Sequence, residues 1–211
     1  FMTTFEGLSG ALENADLSIV TLETLAAGRE KGYGNYNTTP QILDALRAVG
    51  VNFVSLATER ALDKGYDGLD ITASELTSRS IGFAGVYPDG TNTGAAMANI
   101  DGVQVAVLAY TYGLSDEGRE RTRDDSRGVV AMMDSQRVVR DITQARVDGA
   151  NIVVVLPHWG TKNRAQTPDT VQTMAREMAQ AGADVEAYQA ALAELDEAAT
   201  AMRAKVAEVN R

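Results

Sequence analysis

The sequence predicts an α/β protein with mixed central sheets flanked by helices. Three observations carry that reading. Ile152, Val153, Val154, Val155 and Leu156 form an unbroken apolar run rich in β-branched residues, as in a strand buried on both faces. Strand-like runs alternate with amphipathic stretches over most of the 211 residues. Asp101-Gly102 between two apolar runs is a two-residue hairpin signal, so the sheet is not purely parallel.

Residues 4 to 15 are weakly amphipathic through Phe5, Leu8 and Leu12 and read as a helix. Asp16 to Leu22 reads as a buried strand that ends in Glu23, and a glycine-rich loop follows from Ala26 to Asn37. Thr39 and Pro40 are placed as N-cap and N1 of a helix with the stripe Ile42, Leu43, Leu46 and Val49, stopped by Gly50. Val51 to Leu56 is the next strand. A helix follows over Asp67 to Arg79 with Leu69, Ala73 and Leu76 inward, then a short strand over Ile81 to Val86. Pro88 to Gly94 is a surface turn, and Ala96 to Ile100 pairs with Val103 to Tyr110 across Asp101-Gly102.

Residues 111 to 128 read as a polar loop. Asp134 or Ser135 caps a helix whose stripe is Val138, Val139, Ile142 and Ala145, ended by Gly149. The strand over Asn151 to Gly160 comes next. Thr167-Pro168 starts another helix, with Met174, Met178 and Ala181 leading to Gly182. Ala183 to Val185 should open a further strand, but Glu186 to Arg211 reads instead as one alanine-rich helix. Tyr188, Leu192, Leu195, Ala199, Met202, Val206 and Val209 form its heptad seam. That helix either packs on the domain or pairs with another copy, since short isolated helices are marginal. The expected division is an α/β domain over 1–185 and a C-terminal helix over 186–211.

Charge and composition exclude several classes. Lys plus Arg is 19 against 29 Asp plus Glu, a net charge of -10, which argues against non-specific binding to nucleic acid or an anionic membrane surface. A polyanionic substrate would need a local basic patch or a metal. The absence of cysteine excludes disulfides and thiolate metal sites. No apolar run approaches the roughly 20 residues of a membrane span, and FMTTFEGLSG has no basic n-region, so a targeting or anchoring segment is not expected in this sequence.

His158 and Trp159, the sole histidine and sole tryptophan, stand at the end of the 152–156 run. Open α/β sheets bind ligands at the carboxyl ends of their strands, and histidine titrates near neutral pH. His158 is either a ligand or general acid/base there, or a hydrogen-bonded histidine that orders a loop. Trp159 either packs or lines a cleft rim. Arg119, Arg121, Arg123 and Arg127, interleaved with Glu120, Asp124 and Asp125, form either a solvated loop or a clamp for carboxylates. Gly32 and Gly34 lack a strand-to-helix phosphate motif, so no nucleotide site is expected.

ADLSIVTLET (15–24), TPQILDALRAVGVNFVSLATERALDKGYDGL (39–69), VQVAVLAYTYG (103–113) and ANIVVVLPHWG (150–160) together resemble the CapA/PgsA-type capsule-synthesis proteins. That family acts in poly-γ-glutamate capsule production and is similar in fold to calcineurin-like metallophosphatases. The resemblance runs, with gaps, from about residue 11 to residue 185, and it implies an α/β/β/α sandwich with metal-site-like positions at strand ends. The family's His-Trp-Gly motif is intact as His158-Trp159-Gly160. Its Asn-Leu-Glu-Thr motif is Thr21-Leu22-Glu23-Thr24, which keeps the glutamate. Its Asn-Asn-His motif is replaced by Thr58-Glu59-Arg60. The family's initial Gly-Asp strand and its His-Pro-His loop have no counterpart, and the start at Phe1 and the join near Val185–Glu186 suggest that segments are missing.

A two-metal phosphatase centre needs Asp, Asn and His ligands around two ions about 3.5–4 Å apart, and one histidine does not supply it. Glu23, Glu59 and His158, with Asp63, could hold one divalent ion weakly, Glu23 and His158 being the metal candidates. They could equally form an ion-paired cluster with Arg60. Two functions follow from the resemblance. In one, the chain acts on or handles an anionic γ-glutamyl polymer at the extracellular face of the membrane. His158, Glu23 and Glu59 are then catalytic, and Arg60, Trp159, Arg121 and Arg123 contact substrate. In the other, it is an inactive binding or assembly component. Its partners would be membrane-bound capsule synthase components or a second copy joined through the C-terminal helix, with no nucleic acid.

Overall fold

The computed structural model describes residues 1, 5–12, 14–28, 36–91, 94–159 and 169–186. The chain divides into two compact units: Phe1–Asn92 with Gly113–Ala131, and Thr93–Tyr112 with Met132–Arg211. Each carries one sheet with helices, so the α/β class holds.

The first unit is built on three parallel strands in the order β1 (Ile19–Thr21), β2 (Phe53–Ser55) and β3 (Gly82–Ala84). The strands are shorter than the apolar runs suggest, and Val86 outside β3 makes an isolated bridge to Val130. The expected helix over 4–15 is a 3-10 turn at Glu6–Leu8 followed by α1 (Ser9–Leu12). Gly7 and Gly10 fall within those seven residues, and glycine is a poor helix former. The helix after the first loop is α2 (Gln41–Ala48); Pro40 is its N-cap rather than its N1, and no side chain caps it. Leu43 and Leu46 are buried as the stripe requires. Helix α3 (Gly65–Ser78) turns Leu69, Ala73 and Leu76 inward. Phe53 and Gly82 are register partners across β2 and β3. A Cβ on Gly82 would stand 2.4 Å from the Phe53 ring, so that residue is glycine because the buried ring lies over it.

The supposed polar loop of 111–128 contains a helix, α4 (Asp116–Thr122). The missed signal was Ser115, whose hydroxyl accepts the Gly118 N–H as an N-cap. Asp116 and Glu117 occupy the positive end of the helix, and Arg119 and Arg121 the negative end. Arg123, Asp124 and Asp125 then take left-handed φ values of 52°, 56° and 59° in succession. Each such non-glycine residue costs about 1–2 kcal/mol. The nearly buried Asp125 carboxylate offsets this by accepting the Val129 and Val130 N–H groups at 3.0 and 2.7 Å.

The second unit is a four-stranded mixed sheet, β4 (Ala96–Ile100), β5 (Val103–Thr111), β6 (Ile152–His158) and β7 (Val185–Glu186), in that order. β4 and β5 form the antiparallel hairpin, with Asp101 and Gly102 both at positive φ as its two-residue turn demands. β5, β6 and β7 are parallel. Residues 152–155 are buried, matching the apolar run. α5 (Ser135–Val147) is capped by Asp134, which accepts the Arg137 N–H, and packs on β5 and β6 through Val138, Ile142 and Ala145. α6 (Asp169–Ala181) packs on α5.

The strand that the sequence reading opens at Ala183 and breaks off at Glu186 forms as β7, and Glu186 pairs within it against Val155, so Glu186 does not begin the helix. The rest of the C-terminal heptad segment, the Thr167-Pro168 helix start and the Gly32–Gly34 loop lie outside the described residues. Arg146 holds this corner together. It donates to the carbonyls of Ala150, Asn151 and Gly182 and pairs with the buried Asp184 carboxylate, which also accepts the Val153 N–H at 2.8 Å. Among the described residues no helix is long and apolar enough to cross a membrane.

Candidate functional site

The sequence-predicted residues fall in both units. In the first, Glu23 and Glu59 lie past the C-terminal ends of the neighbouring parallel strands β1 and β2. Glu23 is exposed. The loop after it returns to its own neck, where Leu25 and Tyr36–Thr38 exchange backbone hydrogen bonds of 2.8–3.0 Å, and the buried Thr72 hydroxyl of α3 accepts the Ala26 N–H.

The chain leaving β2 makes a tight turn over Thr58–Gly65, in which the buried Thr58 hydroxyl accepts the Arg60 N–H. That turn brings Glu59, Arg60 and Asp63 together. Arg60 reaches Glu59 at 3.2 Å through one terminal nitrogen and Asp63 at 3.3 Å through the other. Its guanidinium also lies 3.9 Å from the centre of the Tyr36 ring. The Asp63 side chain has no solvent exposure, and its second oxygen accepts the Ser115 hydroxyl. The Glu59 carbonyl accepts the Ser115 N–H at 2.8 Å, so one serine ties the turn to the start of α4.

Burial alone would lower the Arg60 pKa, but attraction by Asp63 and Glu59 outweighs it, and the pKa is raised. A raised value means the arginine's contribution is complete below its ordinary range and is lost only as pH climbs through the higher folded value. The Arg60 guanidinium therefore keeps its charge across the neutral range.

The arginines of 119–127 are mostly engaged. Arg119 pairs with Asp116 and Asp124, and Arg121 with Glu117. Arg127 stacks on Tyr66 at 4.4 Å and donates to the Pro88 carbonyl. The exposed Arg123 side chain has no hydrogen bond or ion pair with any described residue. These surface pairs are each worth about 0–1 kcal/mol, so a polyanion can compete for them.

In the second unit, His158 is the last residue of β6 and is half-buried, with Trp159 half-buried beside it. Thr111 is the cross-strand partner of His158, and the Tyr112 N–H donates to the His158 carbonyl at 3.0 Å. Tyr112 is 73 % exposed. It therefore joins His158 and Trp159 at the strand ends, where α/β sheets carry ligands. Sequence reasoning ended that strand at Tyr110 and missed Tyr112, since nothing in the string marks the register.

A metal centre of the kind the resemblance implies does not fit the donors of this chain. The chain has one histidine and no cysteine, and among the described residues no three Asp, Glu or His side chains are grouped to hold an ion. Glu59 and Asp63 already face a guanidinium.

The chain matches the family model described as bacterial capsule synthesis protein PGA_cap over residues 1–186. It is 26% identical over 150 residues to the PGA biosynthesis protein CapA of Bacillus subtilis (strain 168), covering 70% of this chain and 38% of that protein. It thus spans well under half the length of this curated relative. Among solved structures it resembles the calcineurin-like phosphoesterase YfkN from Bacillus subtilis. The TM-score is 0.47 at 17% identity, over 72% of this chain and 48% of that one. It also resembles the sulfate thiohydrolase SoxB of Thermus thermophilus, with a TM-score of 0.46 at 15% identity over 75% of this chain and 29% of that one.

Proposed function

The chain belongs to the bacterial capsule synthesis protein family PGA_cap, and from that premise we propose that it handles an anionic γ-glutamyl polymer, poly-γ-glutamate, at the cell surface. The family match across residues 1–186 carries this reading. His158, Trp159 and the exposed Tyr112 at the ends of β5 and β6 are the groups offered to the polymer's amides and carboxylates. A net charge of -10 opposes a polyanion at long range, so recognition is local; within the first unit, the exposed Arg123 and the Glu117-paired Arg121 are separate candidates for contacting carboxylates. Glu23, beyond β1, is a candidate for contacting amide N–H groups; Glu59 is held by Arg60.

The donor set favours handling over cleavage by this chain alone. Binding and assembly with membrane-bound synthase components, or with a second copy, is the second reading; the Glu59–Arg60–Asp63 pairing favours it only in that Glu59 faces a guanidinium rather than standing as a free base. The test is polymer output from cells whose own copy is replaced by His158→Ala protein of normal abundance and melting temperature. A large fall in polymer yield supports a role for the strand ends; full yield removes His158 from the function.

A further inference from the structure

The disagreement between the expected metal position and the residues found there has a physical resolution in the first unit. Asp63 is fully buried, and a lone buried carboxylate is costly unless it is paired and hydrogen-bonded. Three groups converge on the Arg60 guanidinium: the Asp63 carboxylate at 3.3 Å, the Glu59 carboxylate at 3.2 Å and the Tyr36 ring face at 3.9 Å. Two carboxylate oxygens and an aromatic face around one positive group make a cation site.

We propose that the Arg60 guanidinium is the built-in cation of this site, holding Glu59 and Asp63 without a divalent ion, and that removing it turns the same carboxylates into a divalent-cation site. The chain supplies by a side chain what two carboxylates would otherwise draw from solution. Arginine suits this because its planar fork bonds both acids at once and never loses its proton in the physiological range. The Ser115 hydroxyl on the other Asp63 oxygen completes that carboxylate's partners, while the Glu59 side chain, 36 % exposed, leaves the site open to ions from solution.

The test is calorimetric melting of the full chain, with and without 5 mM calcium or manganese (about the millimolar range in which weak sites fill). Four proteins are compared: wild type, Arg60→Met, Arg60→Lys and the double variant Arg60→Met/Asp63→Asn. Wild-type melting should not respond to either ion. Arg60→Met should melt about 6–15 °C lower, and the ion should restore at least 2 °C of that, at roughly [L] above Kd. Arg60→Lys should lose less and show no response. The double variant should regain stability and lose the response, because the uncompensated buried charge is gone. If Arg60→Met does not fold, a folded double variant supports the proposal, and an unfolded one overturns it by showing that the arginine acts through its packing. An ion-insensitive, folded Arg60→Met protein also overturns it, as does a wild-type ion response that Asp63→Asn abolishes.

Discussion

Thr111 and His158 are partners at the last rung shared by β5 and β6, and the His158 carbonyl accepts the N–H of Tyr112. A parallel pair thus delivers an imidazole, an indole and an exposed phenol to one sheet end. Tyr112→Ala removes a side chain that is 73 % exposed, so its melting temperature should stay within about 2 °C of wild type. Polymer binding should nevertheless weaken several-fold. Differential scanning calorimetry beside a binding titration separates the two effects; a large melting shift would mean that Tyr112 is structural.

Asp63 joins Arg60 to Ser115, and both its carboxylate oxygens are used within the first unit. Asp63→Ala leaves a half-buried guanidinium and a hydroxyl short of partners, and should cost about 3–5 kcal/mol. Ser115→Ala removes both the cap of α4 and one Asp63 partner and should cost about 1–2 kcal/mol. Urea unfolding measures both, and equal losses in the two variants would refute this ranking.

Gly82→Ala places a methyl against the buried Phe53 ring. The strand pair cannot move apart without losing its ladder, so the expected loss is about 1–3 kcal/mol. A second substitution, Phe53→Leu, should recover part of it in a double-mutant cycle. Strict additivity would show that the two positions do not meet.

In the second unit Asp184→Ala frees Arg146 from its carboxylate partner and the Val153 N–H from its acceptor. The loss should be about 1–3 kcal/mol, because the Val153 N–H is left without its acceptor while Arg146, 31 % exposed, keeps its three carbonyl partners. Hydrogen exchange should accelerate first at Val153 and along β7. Uniform acceleration over the unit would mean that this corner is no separate joint.

Much of this was legible in the string, for local reasons. The Asp101-Gly102 turn, the Asp134 cap and the Ile152–Val155 run are each decided by a few neighbouring residues, and each folds as read. Helix α4 was hidden because its residues are polar all round and its cap is a lone serine. The ends of β1 and β3 were overestimated because apolar residues beyond a strand can be buried without joining its ladder, as Ile81 and Val86 are. Of the candidate site, the adjacency of Glu59 and Arg60 announced an ion pair. The burial of Asp63 and its bond to Ser115 join residues 52 positions apart, which no local pattern encodes. The same holds for Tyr112 beside His158.

The most direct test of the polymer-handling reading is titration calorimetry of the protein with γ-linked glutamate oligomers, and with α-linked oligomers of equal length and charge. Both ligands carry the same number of carboxylates but place them differently on the chain, so any preference reports recognition of the linkage rather than attraction of charge. Saturable binding of the γ-linked chain, at least tenfold weaker for the α-linked one and weakened by His158→Ala at unchanged melting temperature, is the predicted result. No binding, or equal binding of both chains untouched by His158→Ala, would contradict it.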